Sequence, residues 1–237
     1  MYCCGLCTKK TPCNTELQIN LPANCPCRDE GIRDNSKEQY VGENKKIADA
    51  AVRAEYEGYC KRTRIEEIME FAEHMGYKHI GIAHCIGLKD EAGLAYKIFK
   101  ANGFEVDTVS CKAGTFSKEE LGHEAFRINK EWEGVCNPIG QALFLEKAGC
   151  ELAVVMGLCV GHDTLFLKNC NLPVTYLVVK DRVLGHNPVQ ALYLSTSYLR
   201  VKLFPPTRLK GNISDYPTQP ALIHPDCLPD VPPKEKK

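Results

Sequence analysis

The chain has 237 residues, enough for one α/β domain with an appendage or for two small domains. Basic and acidic residues number 30 each, so the formal net charge is zero and argues against a nucleic-acid or anionic-membrane partner. No apolar run approaches the length of a bilayer span, and MYCCGLCTKK lacks a signal-peptide core, so a cytoplasmic location is expected.

Residues 1–40 are dense in Cys, Pro, Asn and Gly and carry no helical or strand period. Such a segment buries too little apolar surface to order itself without a metal or a neighbouring domain. Six of the chain's 14 cysteines fall in its first 27 residues. The best four-ligand choice is Cys4-x2-Cys7-x5-Cys13-x11-Cys25, in which a Cys-x2-Cys turn presents two thiolates and two distant cysteines close a tetrahedron. Cys3 and Cys27 are spare and could substitute. Zinc or an iron–sulfur cluster would each accept this set. Disulfides are disfavoured in a chain of this length without an export signal.

Residues 43–59 and 63–75 read as amphipathic helices, with apolar residues at spacings of three and four and Gly76 as a stop. Strands and helices then alternate. Residues 78–85 read as a strand, 90–103 as a helix and 104–111 as a strand. A helical stretch over 117–132 and a helix after Cys136 follow. The third strand covers 151–159, a helix covers 161–171, the fourth strand covers 173–180, and a last helix follows His186. Apolar strands alternating with helices predict a Rossmann-like three-layer α/β domain with a mostly parallel sheet. The expected organisation is a Cys-rich metal-binding module over 1–40, the α/β domain with two leading helices over 41–203, and a Pro-rich arm over 204–237.

Cys85, Cys111 and Cys159 each end a predicted strand, and Cys136 sits one residue before the helix start Asn137-Pro138. In an open parallel sheet, strand carboxyl ends and helix N-termini face one crevice, so these four thiols are candidates for a shared metal site. The helix start would favour the Cys136 thiolate. CNPIGQALFL and HNPVQALYL align once Gly140 is skipped, which makes His186 the counterpart of Cys136. His186 is a candidate ligand, proton donor or hydrogen-bonded loop residue.

GLCVGHD surrounds Cys159 with Gly157 and Gly161, whose N–H groups could hold an anion or a cluster sulfide, and follows with His162 and Asp163. His162, Asp163 and His186 are the candidate catalytic residues. Gly157, Gly161, Lys112 and Asn137 are candidates for contacting the cofactor. Lys180 and Arg182 add charge to the same region. Neither nucleotide fingerprint, GxGxxG or GxxxxGK[ST], is present, and GxSxG and HExxH are also missing.

GYCKRTRIEEIMEFAEHMGYKHIGIAHCIGL, CKAG, CNPIGQA, GLCVGHDTLF and VVKDRVLGHNPVQALY together resemble the bacterial and archaeal family called domain of unknown function 1847. The resemblance spans nearly the whole chain, to about Tyr198. It implies a metal-binding protein, with the family's N-terminal cysteine motif falling on Cys4, Cys7, Cys13 and Cys25. It implies no reaction.

The expectation is a metalloprotein with a [4Fe–4S] cluster in the crevice and zinc or a second cluster at the N-terminal set. Its partner would be a redox protein or a small molecule. The rivals are a metal-free thiol enzyme using Cys136 or Cys159, and a non-catalytic zinc module that recruits a partner.

Overall fold

Leu152–Met156 is buried at every residue, as a strand covered on both faces must be. It is one of four strands: β1 (His79–His84), β2 (Glu105–Ser110), β3 (Leu152–Met156) and β4 (Val174–Val178). They form one parallel sheet in the order β2-β1-β3-β4. The computed structural model describes residues 2, 4–7, 21–128 and 132–204; Cys3, Cys13, Cys227 and nearly all of the expected C-terminal arm fall outside these. The chain divides into two compact units, Lys46–Gln190 and the combination of Met1–Lys45 with Ala191–Lys237.

The helices are α1 (Glu30–Glu38), α2 (Gly42–Gly58), α3 (Arg64–Met75), α4 (Lys89–Ala101), α5 (Pro138–Lys147), α6 (His162–Asn169), α7 (Val189–Tyr193) and α8 (Arg200–Leu203). Strand side chains alternate between two cores. Ile80, Ile82, Leu152, Val154 and Met156 pack with Ile68 and Ala72 of α3 and Ala92, Ala95 and Phe99 of α4. Ala83, Ala153 and Val155 pack on the other face with Ala142 and Leu145 of α5 and Phe166 of α6. The domain is therefore a three-layer α/β fold, as its alternating sequence predicts.

The chain runs from β1 outward to β2, then returns past β1 to β3. The order thus reverses between β1 and β3, and in such sheets ligands bind outside the carboxyl ends of the strands at that point. Cys85 follows β1 directly and Cys111 follows β2 directly, while Cys159 lies beyond the end of β3.

Two segments differ from expectation. Residues 30–38 form a helix, capped by Asp29 Oδ1 accepting from Ile32 N–H at 3.0 Å. All its residues are exposed, so it has no apolar stripe to read. Residues 117–132 do not form one helix. Short 3-10 turns at Glu119–Leu121 and Glu124–Phe126 are separated by Gly122 at φ 67°. Gly134 bridges back to Ser117, and Lys118 pairs with Glu133 at 2.9 Å, so the two ends of the stretch meet, and its described residues form no single helix. Among the described residues, no helix is long and apolar enough to cross a membrane.

Candidate metal centre

Backbone hydrogen bonds gather the strand ends that carry the cysteines. Cys85 N–H donates to Met156 O at 3.1 Å and Cys111 N–H to His84 O at 2.8 Å, extending the sheet by one residue on each strand. Asn137 N–H donates to Cys111 O at 2.8 Å and so ties the start of α5 to the end of β2. Its side chain completes the tie. Asn137 Oδ1 caps the helix by accepting from Gly140 N–H at 2.9 Å, and Nδ2 donates to Gly114 O at 2.8 Å. A Cβ on Gly140 would lie 2.3 Å from Asn137 Nδ2. The extra glycine of CNPIGQA therefore makes room for the amide that positions Cys136.

Cys136 Sγ lies 3.6 Å from Cys111 Sγ, within hydrogen-bond reach for sulfur. Cys111 Sγ also accepts from Ile86 N–H at 3.3 Å, and Cys85 Sγ accepts from Gly87 N–H at 3.4 Å. Lys180 Nζ donates to Cys85 Sγ at 2.7 Å, and an Arg182 guanidinium N–H donates to Cys159 Sγ at 3.0 Å. Charge on Cys159 and on Cys85 is felt at Cys136, so the four sulfurs share one electrostatic neighbourhood.

That neighbourhood splits the thiols. The bond shared with Cys111 brings Cys136 down to about 7 against the opposition of burial, and Lys112 lowers it further. Cys111 is pushed up by the same bond and by its burial. Cys136 is thus the thiolate of the pair near neutral pH. Lys112 Nζ is anchored by donating to Gly134 O at 2.6 Å. His162 opens α6, and its imidazole is held below its ordinary value first by burial and then by Lys112 and Arg182, against Asp163. It is neutral at neutral pH and able to accept a proton or a metal.

Other expected contacts are spent inside the protein. Gly157 N–H donates to Val178 O at 2.7 Å, and Gly161 N–H to Asp163 Oδ1 at 3.0 Å, so neither is the anion donor expected of it. Gly157 is required for space instead: at φ 63°, its Cβ would lie 2.0 Å from Leu88 Cδ1 and 3.6 Å from Lys180 Cε. Asp163 Oδ1 also accepts from Thr164 N–H at 2.7 Å, which makes it a local brace of the α6 start. His186 has φ 64°, and its Nδ1 accepts from Asp181 N–H at 3.1 Å. Its Nδ1 thereby helps close the 181–186 loop. Gln141, fully buried on α5, donates to the carbonyls of His84 at 3.1 Å and Val109 at 2.7 Å, bracing both strand ends.

A cavity of about 530 Å³ lies between α4 and the carboxyl ends of β1 and β2, with Ile86 and Ser110 in its wall and none of the four cysteines among its lining. His84, Lys89, Tyr96 and Lys97 also line it.

In the N-terminal set, Cys4–Leu6 is a 3-10 turn and Cys7 N–H donates to Cys4 O at 3.2 Å, the tight turn expected of Cys-x2-Cys. Cys25 precedes a second 3-10 turn, Pro26–Arg28. Cys13 lies outside the described residues.

The family model described as a protein of unknown function, DUF1847, matches residues 25–177, well over half of the chain. The chain belongs to the DUF1847 family. The stretch that matches DUF1847 contains Cys85, Cys111, Cys136 and Cys159, whereas Lys180 and Arg182 lie just beyond it. The chain is also 48% identical over 162 residues to the uncharacterized protein MJ0455 of Methanocaldococcus jannaschii, covering 68% of this chain and 81% of that one.

Among the described residues, two trios of potential ligand atoms close to within 4.8 Å: His79, Asp107 and Cys150, and Glu57, Glu70 and His74. Neither is evident from sequence spacing, because each draws on separate elements. In the second, Arg62 already pairs with Glu70, while His74 Nε2 lies 3.5 Å from Glu57 and 3.7 Å from Glu70. It is an ion-pair network joining α2 to α3. Of the four cysteines, Cys111 and Cys136 bring their sulfurs to 3.6 Å, but the four do not close to within 4.8 Å as a group. A tetrahedral zinc ion, with Zn–S of about 2.3 Å, would hold its four sulfurs roughly 3.8 Å apart.

Proposed function

We propose that this DUF1847 protein is an iron–sulfur protein in which Cys85, Cys111, Cys136 and Cys159 hold one [4Fe–4S] cluster. The observation that carries the reading is the 3.6 Å approach of the Cys111 and Cys136 sulfurs, with Cys85 and Cys159 each accepting from a cationic side chain of the loop after β4. The donor chemistry fits: four cysteines are the ordinary ligand set, and hydrogen bonds to sulfur tune cluster potential. Ile86 and Gly87 supply backbone N–H donors, and Lys180 and Arg182 supply cationic ones. When bound, the cluster would supply one-electron transfer or a Lewis-acidic iron. The chain's own residues would hold the thiolates, offset their charge and orient a small molecule. The protein's counterpart would be a redox protein or that molecule. Cys4, Cys7, Cys13 and Cys25 would form a second site, for zinc or another cluster.

A second reading has its own support. Cys136 at about 7 beside Cys111 at 3.6 Å is also the arrangement of a metal-free dithiol, with Cys136 as the nucleophile. Anaerobic purification separates the two. Brown protein that loses its colour on Cys136→Ser supports the cluster. Protein that stays colourless after iron and sulfide reconstitution, with Cys136 hyper-reactive to alkylation, supports the dithiol.

A further inference from the structure

The opposite, amino-terminal edge of the sheet carries three potential ligands of different chemistry. His79 begins β1, Asp107 lies in β2, and Cys150 lies two residues before the start of β3. The strands are neighbours in the order β2-β1-β3, so each of three adjacent strands presents one ligand to the same spot. Register accounts for the meeting. His79 pairs with Glu105 and Gly81 with Asp107, so Asp107 stands one pleat along from His79 on the same face. Gly81 keeps the space between them clear: a Cβ there would meet Cys150 Sγ at 3.0 Å and Leu145 Cδ2 at 2.8 Å.

The three ligand atoms lie within 4.8 Å of one another, and His79 Nε2 is 2.8 Å from Asp107 Oδ2. From this geometry we infer a second, mixed-ligand site in which His79, Asp107 and Cys150 bind one zinc-class divalent cation. Tetrahedral zinc separates nitrogen, oxygen and sulfur ligands by roughly 3.3–3.8 Å, close to the spacing of these atoms, which all lie within 4.8 Å of one another. Burial divides the site. Cys150 is buried and the Asp107 side chain is half-exposed, so a water can complete the tetrahedron from the Asp107 side. Glu151 Oε2 holds the backbone at the site by accepting from Lys78 N–H at 2.6 Å and His79 N–H at 3.0 Å. Binding displaces the thiol proton and any proton on the ligating imidazole nitrogen. The bound ion ties three strands together at the edge opposite the four cysteines, and the inference is independent of what those cysteines hold.

Chelator-stripped, reduced full-length protein is titrated with zinc against a chromophoric chelator. His79→Ala and Asp107→Asn are each expected to lose one equivalent relative to wild type, or to bind it about 100-fold more weakly. Cys136→Ser keeps that equivalent. Asp107→Asn preserves the side-chain shape at a half-exposed position, so it carries the test alone if His79→Ala fails to fold. Wild-type stoichiometry and affinity in Asp107→Asn would overturn the inference.

Discussion

Cys136 is the residue on which the chemistry turns, and its acidity has separable causes. In reduced, metal-free protein its alkylation rate should be half-maximal near pH 7, while Cys150, raised to about 12 chiefly by burial, stays inert there. Lys112→Ala removes a cation that favours the thiolate, so the Cys136 profile should move to higher pH; an unmoved profile would sever Lys112 from the site. The placement of three of the expected cysteines was legible from local signals, since Cys85 and Cys111 directly follow strands and Cys136 precedes a helix start, whereas Cys159 lies three residues beyond the end of β3. Lys180 and Arg182 were legible only as nearby charge, since which sulfur each meets depends on how the loop after β4 folds. His79, Asp107 and Cys150 left no linear signal, because strand pairing brings them together across 28 and 43 residues of chain. Gly140 is legible in hindsight as the residue that skips out of the CNPIGQA and HNPVQAL alignment. Gly140→Ala should displace the Asn137 cap and cost about 1 kcal/mol in urea unfolding, with slower cluster assembly.

At the scale of elements, helices with an apolar stripe and local stop signals were read to within a residue or two. Helix α3 opens with a capping box in which Glu66 Oε2 accepts from Thr63 N–H at 2.8 Å and Thr63 Oγ1 at 2.5 Å, and it closes on Gly76 at φ 78°. Thr63→Ala should lower stability by about 1 kcal/mol in chemical denaturation without altering metal content. The misread elements are those whose stabilising interactions are not periodic. Helix α1 has no buried face, and 117–132 looked helical, but Gly122 separates its turns and Gly134 bridges back to Ser117. The two Asn-Pro starts also diverge: the helix after Cys136 runs ten residues, whereas the one after His186 runs five. His186 shares the motif of Cys136, and its Nδ1 accepts from Asp181 N–H across its own loop.

For the whole molecule, parallel strands and a reversal of strand order between β1 and β3 determine where function can reside. Strand–helix alternation revealed the parallel sheet, but not the order β2-β1-β3-β4, which is a tertiary choice. The gathered charge should make stability pH-dependent. His162 is harder to protonate in the fold than its ordinary value of 6.5, so the unfolded chain binds more protons as pH falls through that value, and stability is lost on the acid side. Reduced, metal-free protein should melt lower at pH 5 than at pH 8, and His162→Gln should flatten the difference. A His162→Gln slope equal to that of wild type would remove His162 from the account. The central claim is tested most directly by counting iron and labile sulfide after anaerobic reconstitution of the full chain and of a variant with Cys85, Cys111, Cys136 and Cys159 changed to serine. The cluster account predicts that the variant holds about four irons and four sulfides fewer than wild type. Equal iron and sulfide in the two proteins would contradict it.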